Sequence, residues 1–401
     1  MQEGLEMRTA LLVLVCLSLI FATASAQGIV VPGDADGDMI VSDEELEQAE
    51  KSFDEGKITS EQLEEIRHIH DHYPITIVDS ANRTVTIYKP VDSIIPMVTW
   101  SYEPVWLLGA QDKVVGVTTD AQDTEYPWFD GIEDKPAIGT YKELDYEKVA
   151  DLHPQLLIVG PALIVKRVDV EKLESLGISV VALSFNNQET FDTEFRTLAK
   201  ILEEDELAED FLSWKNGHLD QIKENVLGID RKVRVYGEWT YSQWCTSVAG
   251  SSGLHSLIIT SGGENIAGNL SISEGSTVLY VDPEWVFKEN PEVVIFSAFG
   301  DYTGYTKDSY ENAEQFVSEA YNRIGLKDTD AARNSKIYLI DGKCVETVRG
   351  FIGDYYLSKW LYPEKFEDLD LEDIESIHKE YFEEWLGVPY QGIWAYPLAS
   401  A

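Results

Sequence analysis

Between residues 34 and 45 the chain sets oxygen donors at a spacing that suits a hard cation. Asp34, Asp36, Asp38 and Ser42 fall at the first, third, fifth and ninth places of a twelve-residue loop, and Glu45 closes it. Calcium takes about six to eight oxygens, and such a loop wraps them around the ion. Ile40 at the seventh place offers its backbone carbonyl, and Glu45 binds through both carboxylate oxygens. The pattern predicts a calcium site of Asp34, Asp36, Asp38, Ile40, Ser42 and Glu45. The sixth place, where the chain turns sharply, is Met39 instead of glycine. A left-handed backbone at a non-glycine residue costs about 1–2 kcal/mol, which weakens the site.

Other residues capable of chemistry are sparse. His68 and His72 share a helix face and have the geometry for a transition metal, although a solvated helix end is the plainer reading. His153, His218, His255 and His378 are scattered without metal spacing. No glycine-rich phosphate loop, Gly-x-Ser-x-Gly elbow or His-Glu-x-x-His pair is present. The sequence therefore points away from an enzyme.

Composition narrows the partners. Among 401 residues, 72 are acidic and 31 basic, for a formal charge of −41, which repels nucleic acid and anionic lipid. Arg8, the apolar run Leu11 to Phe21 and Ala24-Ser25-Ala26 read as a cleaved leader over residues 1–26. The run is too short to span a bilayer, so the mature chain is expected outside the cytoplasm. Cys245 and Cys344 remain, either as a disulfide or as two buried thiols.

These residues need a scaffold, and the patterning supplies one. Acidic residues open a helix at Ser42, and a second helix starts at Ser60, giving a small module over residues 27–72. After Tyr73-Pro74 a hairpin (Ile75 to Val78, Thr84 to Tyr88) leads into alternating strands and helices. Strands are expected at Ile94–Met97, Val114–Thr118, Leu156–Val159 and Val180–Leu183. A long helical stretch covers residues 189–228. The alternation then restarts, with strands at Val233–Tyr236, Val293–Phe296 and Ile337–Ile340 and a helix at Pro283–Glu289. The expected fold is α/β: two Rossmann-like lobes, 73–188 and 229–401, joined by one long interdomain helix as a clamshell, behind the small helical module.

The loop at residues 34–45 resembles an EF-hand or dockerin-type calcium loop. From about Ile75 to Tyr362 the chain resembles the iron-complex and cobalamin-binding family of ABC-importer substrate-binding proteins. The hairpin around Asp79-Ser80-Ala81-Asn82-Arg83-Thr84-Val85 is similar to the family's "TDSAGRTV". Asp145-Tyr146-Glu147-Lys148-Val149 with His153-Pro154-Gln155-Leu156 resembles "NLEKIxxLxPDLVI", and Gly262-Gly263-Glu264-Asn265-Ile266-Ala267 resembles "GGENIA". Asp282-Pro283-Glu284 before Asn290-Pro291-Glu292-Val293 repeats the helix-Pro-strand pattern.

The resemblance implies a monomeric protein, secreted or extracytoplasmic, with a ligand cleft between the lobes. Its partners are an ABC permease with its ATPase, and Glu147 and Glu284, one per lobe, dock on permease arginines. The cleft residues it implies are Trp100, Tyr141, Lys142, Trp239, Tyr241, Trp244, Phe299 and Arg349. Flat aromatics suit a large chelate, and Arg349 an anionic one. The cargo expected is a ferric chelate of the siderophore type or a cobalt chelate such as cobalamin. The alternative is a calcium-dependent cell-surface adhesion protein built on the same lobes.

Overall fold

The structure is a computed structural model that describes residues 28–122, 129, 131–140, 142–166, 168–249, 253–273 and 278–397. The expected leader and Tyr141 lie outside the described residues. The chain divides into two compact units: residues up to Thr76 with Thr86–Lys89 and Asp169–Val180, and then Ile77–Val85, Pro90–Val168 and the chain from Val181. No helix among the described residues is long and apolar enough to cross a membrane.

The first unit opens with two capped helices, α1 (Asp43–Asp54) and α2 (Ser60–His72). Each begins with a reciprocal capping box, Ser42 with Glu45 and Thr59 with Gln62, so two orphan amide groups are satisfied at each start. Val31, Val41, Ala49, Leu63, Ile66 and Ile69 are buried and form the apolar faces of this unit.

The hairpin of β1 (Ile75–Val78) and β2 (Thr84–Ile87) turns through Asp79. The Asp79 carboxylate accepts from the Ala81, Arg83 and Ala182 amides and pairs with the Arg83 guanidinium at 2.8 Å. Asn82 takes φ 58, and asparagine is one of the few residues that visits this left-handed region readily.

In the second unit, β3 (Ile94–Pro96) leads to α3 (Tyr102–Leu107). After α4 (Tyr146–Leu152) come β4 (Leu156–Val159) and β5 (Ser179–Ala182), in the sheet order β3-β4-β5. The expected strand at Val114–Thr118 is reduced to parallel bridges at Val114 and Val117. β4 is buried at every residue, as a strand covered on both faces must be.

The single linking helix expected over 189–228 is instead two helices, α5 (Gln188–Leu202) and α6 (Asp205–Val226). Glu203 ends α5 in the left-handed region at φ 64. The acids Glu203, Glu204 and Asp205 explain the break: they oppose the dipole at the end of one helix and favour the start of the next.

The second lobe holds β6 (Arg234–Trp239), α7 (Gly253–Thr260), β7 (Glu264–Asn265), α8 (Pro283–Glu289) and β8 (Val293–Ala298). It continues with α9 (Glu311–Asn322), β9 (Ile337–Asp341), α10 (Gly350–Leu361), α11 (Leu371–Glu380) and β10 (Ala395–Tyr396). The sheet order is β7-β6-β8-β9-β10, parallel apart from the edge strand β10. Two α/β lobes with loops gathered at the strand ends are therefore present, as the sequence predicts.

Candidate functional site

Two cavities open at the strand ends of the second unit. The first, about 550 Å³, receives Thr99 and Trp100 from the turn after β3 and Phe299, Thr303, Lys343 and Glu346 from the loops after β8 and β9. The second, about 710 Å³, is bounded by Pro161, Ser184, Gln188, Glu194, His255 and again Glu346. Both volumes fall in the range of small-molecule sites, which runs from about 300 to 1,000 Å³.

Trp100 is half-buried, and its indole Nε1 is enclosed with no hydrogen-bond partner among the described residues. Trp239, at the end of β6, is 1% exposed and donates Nε1 to the Ser247 hydroxyl at 3.2 Å. Its ring stacks on Tyr241 and on Phe299, each with centroids 6.0 Å apart, while Tyr241 and Phe299 remain exposed. The three rings make a shelf whose outer members face solvent. Burial pushes the Tyr241 phenol up, and its hydroxyl accepts from the Cys245 thiol at 3.8 Å.

Trp244 does not join that shelf. It takes φ 61 and turns into the lobe-two core, where the Arg323 guanidinium lies 3.9 Å over its ring. Arg323 in turn forks onto Glu238, at 2.7 and 2.5 Å, and Tyr236 donates to the same carboxylate. The residues Glu238 to Trp244 thus split between a buried ion pair and an aromatic shelf.

Arg349 lines neither cavity. It is fully buried at the start of α10, pairs with Glu103 of α3 at 3.1 Å and lies 4.8 Å from the centre of the Trp394 ring. Burial pushes the Glu103 carboxyl up and Arg349 draws it back. Because its charge is spent on Glu103, Arg349 gives no reason to expect an anionic ligand. Lys142 is exposed in the turn between Gly139–Thr140 and Glu143–Leu144 and also lines neither cavity.

Glu346, which reading the sequence missed, lines both cavities. It ends the short helical turn Lys343–Glu346, and burial pushes its carboxyl up to about 7. Cys245 and Cys344 are separate buried thiols.

Glu147 and Glu284 are exposed and equivalently placed. Each is the second residue of a seven-residue helix, α4 or α8, capped by an aspartate, Asp145 or Asp282. Each helix ends on a left-handed residue, His153 or Asn290, followed by proline and a buried strand.

In the first unit, carboxylate oxygens of Asp34, Asp36 and Asp38 gather within 4.8 Å of one another. Met39 adopts φ 67, the left-handed turn expected at that place. Ile40 donates its amide to Asp38 at 2.9 Å. Glu45 closes over the loop and accepts from the Ala35, Asp36 and Ser42 amides and the Ser42 hydroxyl. Those bonds, from Ser42 first and then Ala35, hold its carboxyl at about 2. His68 and His72 stack on each other at 4.5 Å.

Comparison with known proteins places this geometry in a family. The ABC transporter substrate-binding lipoprotein YvrC of Bacillus subtilis is 23% identical over 304 residues, covering 74% of this chain and 88% of that protein. Among solved structures, the TroA-like periplasmic binding protein FepB of Veillonella parvula superposes with a TM-score of 0.69 at 20% identity, covering 81% of this chain and all of that one. The Haemophilus influenzae protein MolA, bound to molybdate, gives 0.62 at 17% identity over 79% and 99% of the two chains. Helicobacter pylori CeuE with nickel bound gives 0.61 at 18% over 79% and 97%. The family model described as periplasmic binding protein matches residues 97–344, more than half of the chain, so the protein belongs to that family, the substrate-binding proteins of ABC transporters.

Proposed function

We propose that the protein captures a metal chelate, of the ferric siderophore type or a cobalt chelate such as cobalamin, and delivers it to a permease. As a member of its family it binds a solute and does not transform it. The observation that carries the chelate reading is the pairing of aromatic surface with cavity. Trp100 and Phe299 border the smaller cavity, and Phe299 continues into the shelf of Tyr241 and Trp239. Flat rings of this kind hold a large, partly apolar ligand, and the Trp100 indole N–H, unpartnered among the described residues, offers it a donor. The molybdate bound to MolA and the nickel bound to CeuE support a metal-containing cargo.

Glu147 and Glu284, exposed on matching helices of the two lobes, are the proposed contacts to permease arginines. The lipoprotein relative supports action outside the cytoplasm. In the small helical unit the three gathered aspartates and the left-handed turn at Met39 suit calcium, with Ile40, Ser42 and Glu45 completing the set. Bound there, calcium supplies a cross-link between the loop and the start of α1. No observation favours the adhesion alternative.

A thermal-shift screen of residues 27–401 against ferric siderophores, cobalamin, haem and calcium tests this reading. A ligand at about 100 times its Kd stabilises by roughly 2.7 kcal/mol, which moves the melting midpoint measurably. At least one chelate is expected to do so, and calcium to do so independently. A shift with calcium alone would remove the chelate reading.

A further inference from the structure

We propose that Glu346 receives a protonated amine of the cargo, so that the protein selects an amine-bearing chelate; this rests on the chelate reading above. Glu346 is the carboxylate common to both cavities. Its backbone amide donates to the Gly342 carbonyl at 3.0 Å, but no hydrogen bond or ion pair engages its side chain among the described residues.

The other carboxylates along the two cavities are already committed or hydrated. Asp79 is held by Arg83, and Glu194 accepts from the Ser80 hydroxyl and the Phe185 amide. Asp341 accepts from the Thr303 hydroxyl and the Lys343 amide, while Glu189 and Asp301 are exposed to water. Among the described residues lining the cavities, Glu346 is the half-buried carboxylate whose side chain has no partner.

A carboxylate in that state gains little from the protein as it stands and much from a cation delivered by a ligand. The charges facing it do not satisfy it. Lys343, three residues earlier, and Lys307 lie along the smaller cavity, and Tyr241 is its neighbour on the aromatic shelf. His255 also lines the larger cavity, and burial pushes its imidazole pKa down. Burial pushes the Glu346 carboxyl up to about 7, the response of an acid with no partner. Acidic residues outnumber basic ones along both cavities, so the local field also favours a cation.

The test titrates wild type and Glu346→Gln by tryptophan quenching at about pH 8, where the free carboxyl is ionised. The probes are the ferric complex of a linear trihydroxamate with one free primary amine, the same complex N-acetylated, and an anionic ferric tris-catecholate. Wild type is expected to bind the amine complex about tenfold or more tighter than its acetylated form, the size of one well-placed charge contact. Glu346→Gln is expected to bind the two alike and to keep wild-type affinity for the acetylated complex, which shows that the cleft is intact. Equal affinities in wild type, or a preference that survives Glu346→Gln, would overturn the inference and leave the chelate reading standing. If none of the three probes binds wild type, the chelate reading falls and this inference with it.

Discussion

Glu103 and Arg349 form an ion pair in which neither side chain is exposed beyond 1%. Removing one partner of such a pair strands the other charge in a medium that cannot solvate it, at a cost of about 3–5 kcal/mol. Glu103→Leu and Arg349→Met are each expected to lose that much in urea unfolding. The double variant is expected to recover most of it, because two apolar side chains of similar volume leave no charge behind. Asp354 on α10 shows the same physics without a partner. Its carboxyl is wholly buried, no described group bonds to its side-chain oxygens, and the Ser261 hydroxyl goes to its backbone carbonyl. Burial pushes this carboxyl well above its ordinary 3.8, and the charges of Lys215 and Lys223 draw it only partly back. A folded pKa above the unfolded one means the folded state holds its proton longer, so this residue's contribution to stability falls as pH rises from about 4. Asp354→Asn is expected to stabilise near pH 7 and to be neutral near pH 3; equal effects at both would contradict the assignment.

Helix ends separate two left-handed residues that look alike. His153 closes α4 at φ 48 and Asn290 closes α8 at φ 49. His153 is exposed, so His153→Gly relieves backbone strain and is expected to raise stability by about 1 kcal/mol. Asn290 donates its side-chain amide to Asp330 at 2.9 Å and accepts from the Asp330 backbone amide at 2.8 Å. Asn290→Gly loses both bonds and is expected to cost about 1–2 kcal/mol, opposite in sign. Thermal denaturation of the two variants checks the pair. The same local logic explains what could be read from sequence. β4 and α8 fall at the expected residues because an apolar run and an Asp-Pro start are local signals. α9 was not anticipated: it has no side-chain cap, and its buried face uses the small Ala313, Val317 and Ala320. The two-residue edge strand β10 is fixed by pairing with β9, which no local pattern announces.

At the scale of the molecule, the order of strands, helices and Pro-bounded turns carried the two-lobed fold, since the Asp-capped helix, proline turn and strand recur at the same spacing in both halves, Asp145 to Pro154 and Asp282 to Pro291. The cleft was legible only in part. Trp100, Tyr241 and Phe299 stand where strand-end loops put them, but Arg349 is turned inward by Glu103, a partner distant in sequence. Trp244 is turned inward by one positive φ, and Glu346 looks in sequence like any solvated helix residue. The charge of −41 weighs against nucleic acid and anionic lipid as partners. The decisive measurement is a calorimetric titration of residues 27–401 with the chelate that gives the largest melting shift, repeated with Trp100→Ala and Phe299→Ala. A cleft bordered by these rings predicts saturable one-to-one binding in wild type and affinity weaker by about tenfold or more in each variant, since a stacked aromatic contributes roughly 0.5–1.5 kcal/mol beyond the area it buries. Wild-type affinity in both variants would place the ligand elsewhere and contradict the proposed cleft.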